Sequence, residues 1–426
     1  MTSEGMNRRV DDLIRKGADI PAPEMVYIGP EVDVSRLAGG GVKIYPGCRI
    51  HGGQSALCPG VHLGREGPVT VENCQLGEGV ELRGGYFKDS TFLEGASCGL
   101  GAHVREGCLL EEHSSLAHCV GLKQTILFPF VTLGSLINFC DCLMAGGTGR
   151  SNHSEVGSSY IHFNFTPDGE KTTASLIGDV PRGVMLNQAP IFLGGQGGMV
   201  GPLRVEYGTV AAAGTILRRD VLEPNKLVVG SPPKGGVIDF IPRAYSGLRR
   251  VVEKNIHYLA NLAALEAWYL YVRRPFLHEK TGGEALWSGA IERLRAAKEE
   301  RIKRIKGMCA NMMAALEKGG ASEASARQKR ELNERMDELA GLFLEQGGSL
   351  QAGAWDRDEF LSSLESLSSR YRDPYVQSIQ ALPEAGAAAG TRWLEKVVED
   401  RCGRASSMIP SMRLFKGRGK GAARHG

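Results

Sequence analysis

The stretch CQLGEGVELRGGYFKDSTFLEGASCGLGAHVREGCLLEEHSSLAHCVGLKQTILF, residues 74–128, decides the fold. Every sixth residue is apolar: Cys74, Val80, Tyr86, Phe92, Cys98, Val104, Leu110, Leu116, Leu122 and Phe128. A helix repeats its buried face every ~3.6 residues and a strand every ~2, so neither alone gives this period. Hexapeptides with glycine and small polar residues between apolar positions mark a parallel β-helix. Each makes one short strand and one turn, and three close a triangular coil. The sixth-residue side chains then point inward and stack into an apolar prism.

The cadence breaks between about Met144 and Val156 and resumes in stretches such as LRVEYGTVAAAGTILRRDV (203–221). Between them, GGQGG (194–198) is read as a tight corner with positive φ rather than a phosphate-binding loop. The break itself contains LMAGGTGRS (143–151), which looks like the glycine-rich phosphate loop that opens sugar nucleotidyltransferases. In that class the motif lies on the first strand of an α/β domain and a Pro-Lys pair follows. Here a long run of hexapeptides precedes it, no such pair follows at that distance, and no doubly wound pattern surrounds it. It reads as a corner of the β-helix.

Composition changes near residue 235. Most of the 57 glycines precede it, and the 4 tryptophans, Trp268, Trp287, Trp355 and Trp393, follow it. The second half reads as helices. Leu248, Val252, Ile256, Leu259 and Ala263 form one stripe, and Ile291, Leu294, Ile302, Ile305, Cys309, Met312 and Leu316 a second. Leu332, Met336, Leu339 and Phe343 form a third, and further helices are expected at 358–370 and 392–400. The boundaries drawn are a polar, helical segment at 1–24, the β-helix at 25–235, an α-helical domain at 236–410 and a basic tail at 411–426. The helical half is expected either to cap the last coil of the β-helix or to recruit a partner.

A net charge of +3 over 426 residues gives no global call for nucleic acid. The 10 cysteines show no zinc or disulfide spacing and fit a reducing, cytoplasmic setting. No apolar run is long enough to span a bilayer, and the polar N-terminus lacks a signal-peptide core.

The block SSYIHFNFTPDGEKTTASLIGD (158–179), the coils GPLRVEYGTVAAAGTILRRDV (201–221) and the run LLEEHSSLAHCVGLKQTILFPFVTLGSLINFCDCLM (109–144) carry a resemblance. Residues about 10–233 resemble the acetyltransferase half of the bifunctional N-acetylglucosamine-1-phosphate uridyltransferase/glucosamine-1-phosphate acetyltransferase family. The helical half has no counterpart there. The resemblance implies a left-handed parallel β-helix that forms a homotrimer, with sites in the clefts between subunits. It also implies acetyl-coenzyme A as donor and an amino-sugar phosphate as acceptor. Arg105, Lys123 and Lys171 fall on the family's sugar-phosphate cations, and Asn164 on its loop asparagine. Phe165 replaces the adjoining tyrosine, Ala213 matches an alanine that meets the coenzyme, and Gly195 stands for a serine near the pantetheine arm.

The departures are at the chemistry. Ser135 occupies the position of the family's catalytic histidine, and serine lacks a pKa suited to a general base. Asn138 replaces a tyrosine, and Ser231 an arginine that helps hold the coenzyme, with Lys234 close by. About six extra residues between Asp141 and Asn164 bring in His153 beside Glu155, a candidate replacement base. His162, just before the loop, is expected at an inward or solvated strand position.

Three functions follow. The first is an acyltransferase acting on, or binding, an amino-sugar phosphate or a nucleotide sugar of the UDP-N-acetylglucosamine type. The second is a non-catalytic sugar-nucleotide-binding or scaffolding protein. The least favoured is a UDP-N-acetylglucosamine pyrophosphorylase.

Overall fold

The computed structural model describes residues 3–230, 235–237, 239–240, 242–243, 245, 247–317, 322–345, 351–367 and 374–415. Ser231 to Lys234, much of the expected connections at 318–325 and 345–353, and the basic stretch from Lys416 lie outside them.

The hexapeptide half is a parallel β-helix with three faces. Its first face begins at Tyr27–Ile28 and ends at Ile216–Leu217. The second runs from Ala56–Leu57 to Arg204–Val205, and the third is a 10-stranded ladder from Lys43–Ile44 to Leu227–Val228. Pairing is parallel throughout the three ladders, and mostly apolar side chains enter the prism, with His162 as the polar exception on the first face. On the first face the register stacks Ile28, Ile50, Val71, Phe87, Val104 and Leu122. Phe139, His162, Met199 and Leu217 continue that column. Every apolar member of it is buried.

The period of six holds from Phe92 to Leu122 and slips around it. Tyr86 does not enter the core: it is half-buried, and its hydroxyl donates to Glu72 Oε2 at 2.8 Å. The Gly84–Gly85 corner takes one residue fewer, so Phe87 becomes the inward side chain at 0% exposure. The GGQGG corner also differs from expectation. Gln196, at φ 51°, carries the positive φ there, not the glycines. The glycines are required by close approach instead: a Cβ at Gly194 would lie 2.5 Å from Ala213 N, and one at Gly198 would lie 2.4 Å from the Phe163 ring.

Helix α1 (Ser3–Arg15) lies against the first coil, with Val10 and Leu13 buried. It covers an end that would otherwise offer unpaired strand edges. A short helix, α2 (Val180–Gly183), sits at the corner between the second and third faces. The second half is helical: α3 (Leu248–Trp268), α4 (Arg274–His278), α5 (Gly283–Leu316), α6 (Glu323–Glu334), α7 (Met336–Leu344), α8 (Ala354–Leu367), α9 (Tyr375–Gln380) and α10 (Glu384–Met408). The three stripes read from the sequence face inward as expected, apart from half-buried Ile291 and Leu316. Trp268, Trp393 and Phe360 form an aromatic cluster joining α3, α8 and α10, with Trp268 5.3 Å from Phe360 and 6.4 Å from Trp393.

The helices do not cap the last coil. They lie along the second face, where α5 packs on strands Gln75–Leu76, Ser90–Phe92 and Cys108–Leu110 and α3 on Ser175–Ile177. Among the described residues Leu227, in the last strand, is left 68% exposed. The seam is polar as well as apolar. Tyr269 donates to Glu111 at 2.5 Å, Arg273 pairs with Glu112, and the Arg273 guanidinium lies 3.6 Å from the Tyr375 ring centre.

Burial pushes the Glu111 carboxyl up from its ordinary 4.5 to about 7, helped by Glu112 and opposed by Arg273 and Tyr269. A carboxyl raised on folding contributes stability that is complete below its unfolded pKa and is lost as pH rises through the folded one. Glu111→Gln keeps an acceptor for Tyr269 and removes the proton. The variant should therefore gain stability relative to the wild type as pH rises from about 5 to about 8. Parallel urea titrations across that range would show it, and a constant difference between the two proteins would refute it.

Candidate functional site

The β-helix register brings two of the sequence-predicted cations, Arg105 and Lys123, to one corner, between the first and second faces. Lys123 lies directly opposite Cys140 on the next coil, and Arg105 stands one coil before Lys123. The charges of Arg105, Lys123 and Lys171 all act on the Cys140 thiol. Burial nevertheless pushes that thiol up, with Asp141 adding to the effect. Lys123 Nζ is 2.5 Å from Glu106 Oε1. Burial alone would raise the Glu106 carboxyl, but the Lys123 contact and the Arg105 charge hold it below its ordinary value. Asn138 is exposed in the middle of the first face, on the same strand as Cys140.

Lys171 comes from the long loop that leaves this corner after Phe163. The helices fix that loop. Arg301 of α5 donates to Lys171 O at 3.0 Å, Asn255 of α3 to Thr172 O at 3.0 Å, and Asn311 of α5 to Asp168 O at 3.1 Å. Arg301 also pairs with buried Asp141, next to Cys140. Asn164 accepts from Thr173 Oγ1 and so ties the base of the loop. Phe165 is 74% exposed. It walls a groove of about 380 Å³ together with Phe163, Val200, Ile216 and Arg218.

The opposite corner of the same face, between the third and first faces, carries the remaining predicted positions as a ladder. Ser159 N donates to Ser135 O, Gln196 N to Ser158 O, and Gly214 N to Gly195 O. Ser135, Ser158, Gly195 and Ala213 therefore follow one another along one edge, with no side chain larger than a hydroxymethyl. His118 heads this ladder: its Nδ1 is 2.7 Å from Ser135 Oγ. Sequence reasoning missed it. The signal was a spacing of one coil, which becomes a contact only once the register is known.

His153 does not join either corner. The extra residues form an antiparallel hairpin, Gly147–Gly149 with Asn152–His153, between a second-face strand and a third-face strand. That is the edge of the prism away from the first face. His153 does meet Glu155 at 3.8 Å, but its Nδ1 is engaged by Arg150 O at 2.8 Å. The expectation that this insertion serves the cleft is corrected accordingly. LMAGGTGRS leads into the same hairpin, and no phosphate-cradling helix follows it. His162 is inward, with Nε2 2.8 Å from Ser175 Oγ, and burial pushes it down to about 4, so it stays neutral. Lys234 lies outside the described residues.

A hexapeptide β-helix with a cationic corner and a small-residue corner on one face has a transferase-like architecture. No family model matches the chain. Its β-helical half resembles the acetyltransferase half of proteins named "Bifunctional protein GlmU". It is 28% identical over 218 residues to that of Pelobacter propionicus, covering 51% of this chain and 42% of the relative. For Trichlorobacter lovleyi the figures are 26% over 231 residues, 54% and 45%. For Thermotoga maritima they are 25% over 215 residues, 50% and 42%. The chain thus spans less than half the length of the curated relatives it matches. No helix among the described residues is long and apolar enough to cross a membrane.

Proposed function

We propose that the first face binds an amino-sugar phosphate, or a nucleotide sugar of the UDP-N-acetylglucosamine type, and acylates it from a coenzyme A thioester. The column of Arg105, Lys123 and Cys140 on successive coils, with the Lys171 backbone tied to the adjoining Asp141 through Arg301, carries this reading. Cations at one corner suit a phosphate, which ion-pairs with fork and point donors alike. The Ser135 corner lies across the face, with roughly 16 Å of extended chain from Ser135 to Cys140.

The donor fits the other edge. The ladder Ser158, Gly195 and Ala213 leaves the main chain open to an extended thioester arm. These residues would hold coenzyme A, whose thioester supplies an activated acyl group. Exposed Phe192, Val210 and Leu227 stack in register on the third face, which supports association into a homotrimer. A single-chain particle in sedimentation would refute that part.

Thermal-shift measurement against coenzyme A, glucosamine phosphates and UDP-N-acetylglucosamine tests the reading. Saturation at about 100 times Kd stabilises the folded state by about 2.7 kcal/mol, a shift of several degrees. No shift with any of them sinks it. A second reading, binding without turnover, draws on Ser135 itself, since a hydroxyl alone cannot serve as the base. Clear shifts with no acyl transfer to any amino sugar would favour it.

A further inference from the structure

We infer that His118 is the proton acceptor of the first face, working through the Ser135 hydroxyl. The inference rests on the acyl-transfer reading above. Its basis is geometric: His118 Nδ1 and Ser135 Oγ are 2.7 Å apart on adjacent coils, at an exposed edge. A serine hydroxyl has one hydrogen and two lone pairs. When it donates to Nδ1, its lone pairs are free to accept a hydrogen from an incoming amine. The imidazole then carries its own proton on Nε2 and receives the hydroxyl proton at Nδ1.

The same geometry separates this role from that of a nucleophilic serine. An acylated serine needs main-chain donors for its oxyanion. Here Ser135 N already donates to Ser158 Oγ at 3.1 Å, and Leu136 N donates to His118 O at 3.1 Å. Leu136 is held at φ 60°, which fixes that second bond in place. The donors nearest Ser135 Oγ are spent on the ladder, so the hydroxyl is placed to pass a proton rather than to hold an acyl group. Leu100, Cys119, Ser135 and Ser158 share this corner with the imidazole, and of these Cys119 alone is titratable.

The step balances as follows. The acceptor's amine nitrogen bonds to the thioester carbonyl carbon, and the carbon–sulfur bond breaks with its electron pair on sulfur. The proton released by nitrogen moves to Ser135 Oγ as the hydroxyl proton moves to His118 Nδ1. The leaving thiolate later recovers that proton from the imidazolium, which restores the starting pair.

The test compares wild type, His118→Ala, Ser135→Ala and the double variant His118→Ala/Ser135→His, which moves the imidazole one coil along. In His118→Ala, kcat for acyl transfer should fall roughly 100- to 10,000-fold with KM little changed. The acidic limb of the kcat/KM profile should disappear, and coenzyme A should still shift melting. The double variant should recover part of the rate and regain an acidic limb. Independently, imidazole nitrogen NMR should find the Nε2–H form of His118 and a changed titration in Ser135→Ala. An unchanged rate and pH profile in His118→Ala overturns the inference, as does an acyl group trapped on Ser135. A wild type that binds both substrates but never turns over also overturns it, leaving the binding reading intact. Absence of binding to either substrate sinks the functional reading itself.

Discussion

Arg301→Met is expected to destabilise the protein by about 3–5 kcal/mol, the range for breaking one side of a buried ion pair. Arg301 is 1% exposed and its partner Asp141 8%. One arm of the guanidinium pairs with Asp141, and the other donates to Lys171 O at 3.0 Å. Burial raises the Asp141 carboxyl even with Arg301 beside it, so removing the arginine strands a charge that water cannot reach. Adding Asp141→Asn should restore most of the loss. An amide needs no counter-charge, and asparagine tolerates the φ of 57° at this position better than an apolar residue would. Chemical denaturation of the single and double variants measures this. A single variant as stable as wild type would show that the pair does not join the two halves.

The second large effect concerns ligand. Lys123→Ala and Arg105→Ala should each weaken a phosphate-bearing acceptor roughly 10- to 100-fold, since each removes a charge-assisted bond of about 1.5–3 kcal/mol. Coenzyme A affinity need not change in parallel, because its proposed ladder lies on the other corner. Glu106→Gln gives the sign from the opposite direction. Glu106 competes for Lys123 at 2.5 Å, so its neutral form should bind the acceptor several-fold more tightly and with a steeper salt dependence. Calorimetric titration with glucosamine 1-phosphate at two ionic strengths distinguishes these outcomes. Equal affinity in Lys123→Ala and wild type would remove the cation corner from the site.

The β-helix was legible because its core is local. A run such as Phe92, Cys98, Val104 and Leu110, one residue to each successive face, repeats at a fixed step that the sequence displays directly. Tyr86 was misplaced where a Gly-Gly corner shortened that step, an event that periodicity cannot register. The cations were found by resemblance at 105, 123 and 171, yet the alignment of Arg105 and Lys123 with Cys140 depends on coil register, and the placing of the Lys171 loop on α3 and α5. His118 escaped because its contact with Ser135 joins neighbouring coils. Arg301 escaped for a stronger reason: it lies 160 residues from Asp141, on a helix whose docking face no local pattern specifies.

The loop at Lys171 faces both ways. Its charge acts at the first face, while its carbonyl is held by α5 and the next residue's carbonyl by α3. A ligand that orders Lys171 and a helix pair that orders the same backbone therefore draw on one conformational equilibrium. Linkage makes such an effect reciprocal: whatever the helices add to ligand affinity, the ligand returns to their docking. Slower amide exchange in α3 and α5 on adding a sugar phosphate would register that exchange of free energy. If the first face binds a sugar phosphate as proposed, the helical half acts as an effector carried in the same chain, on a face it does not cover.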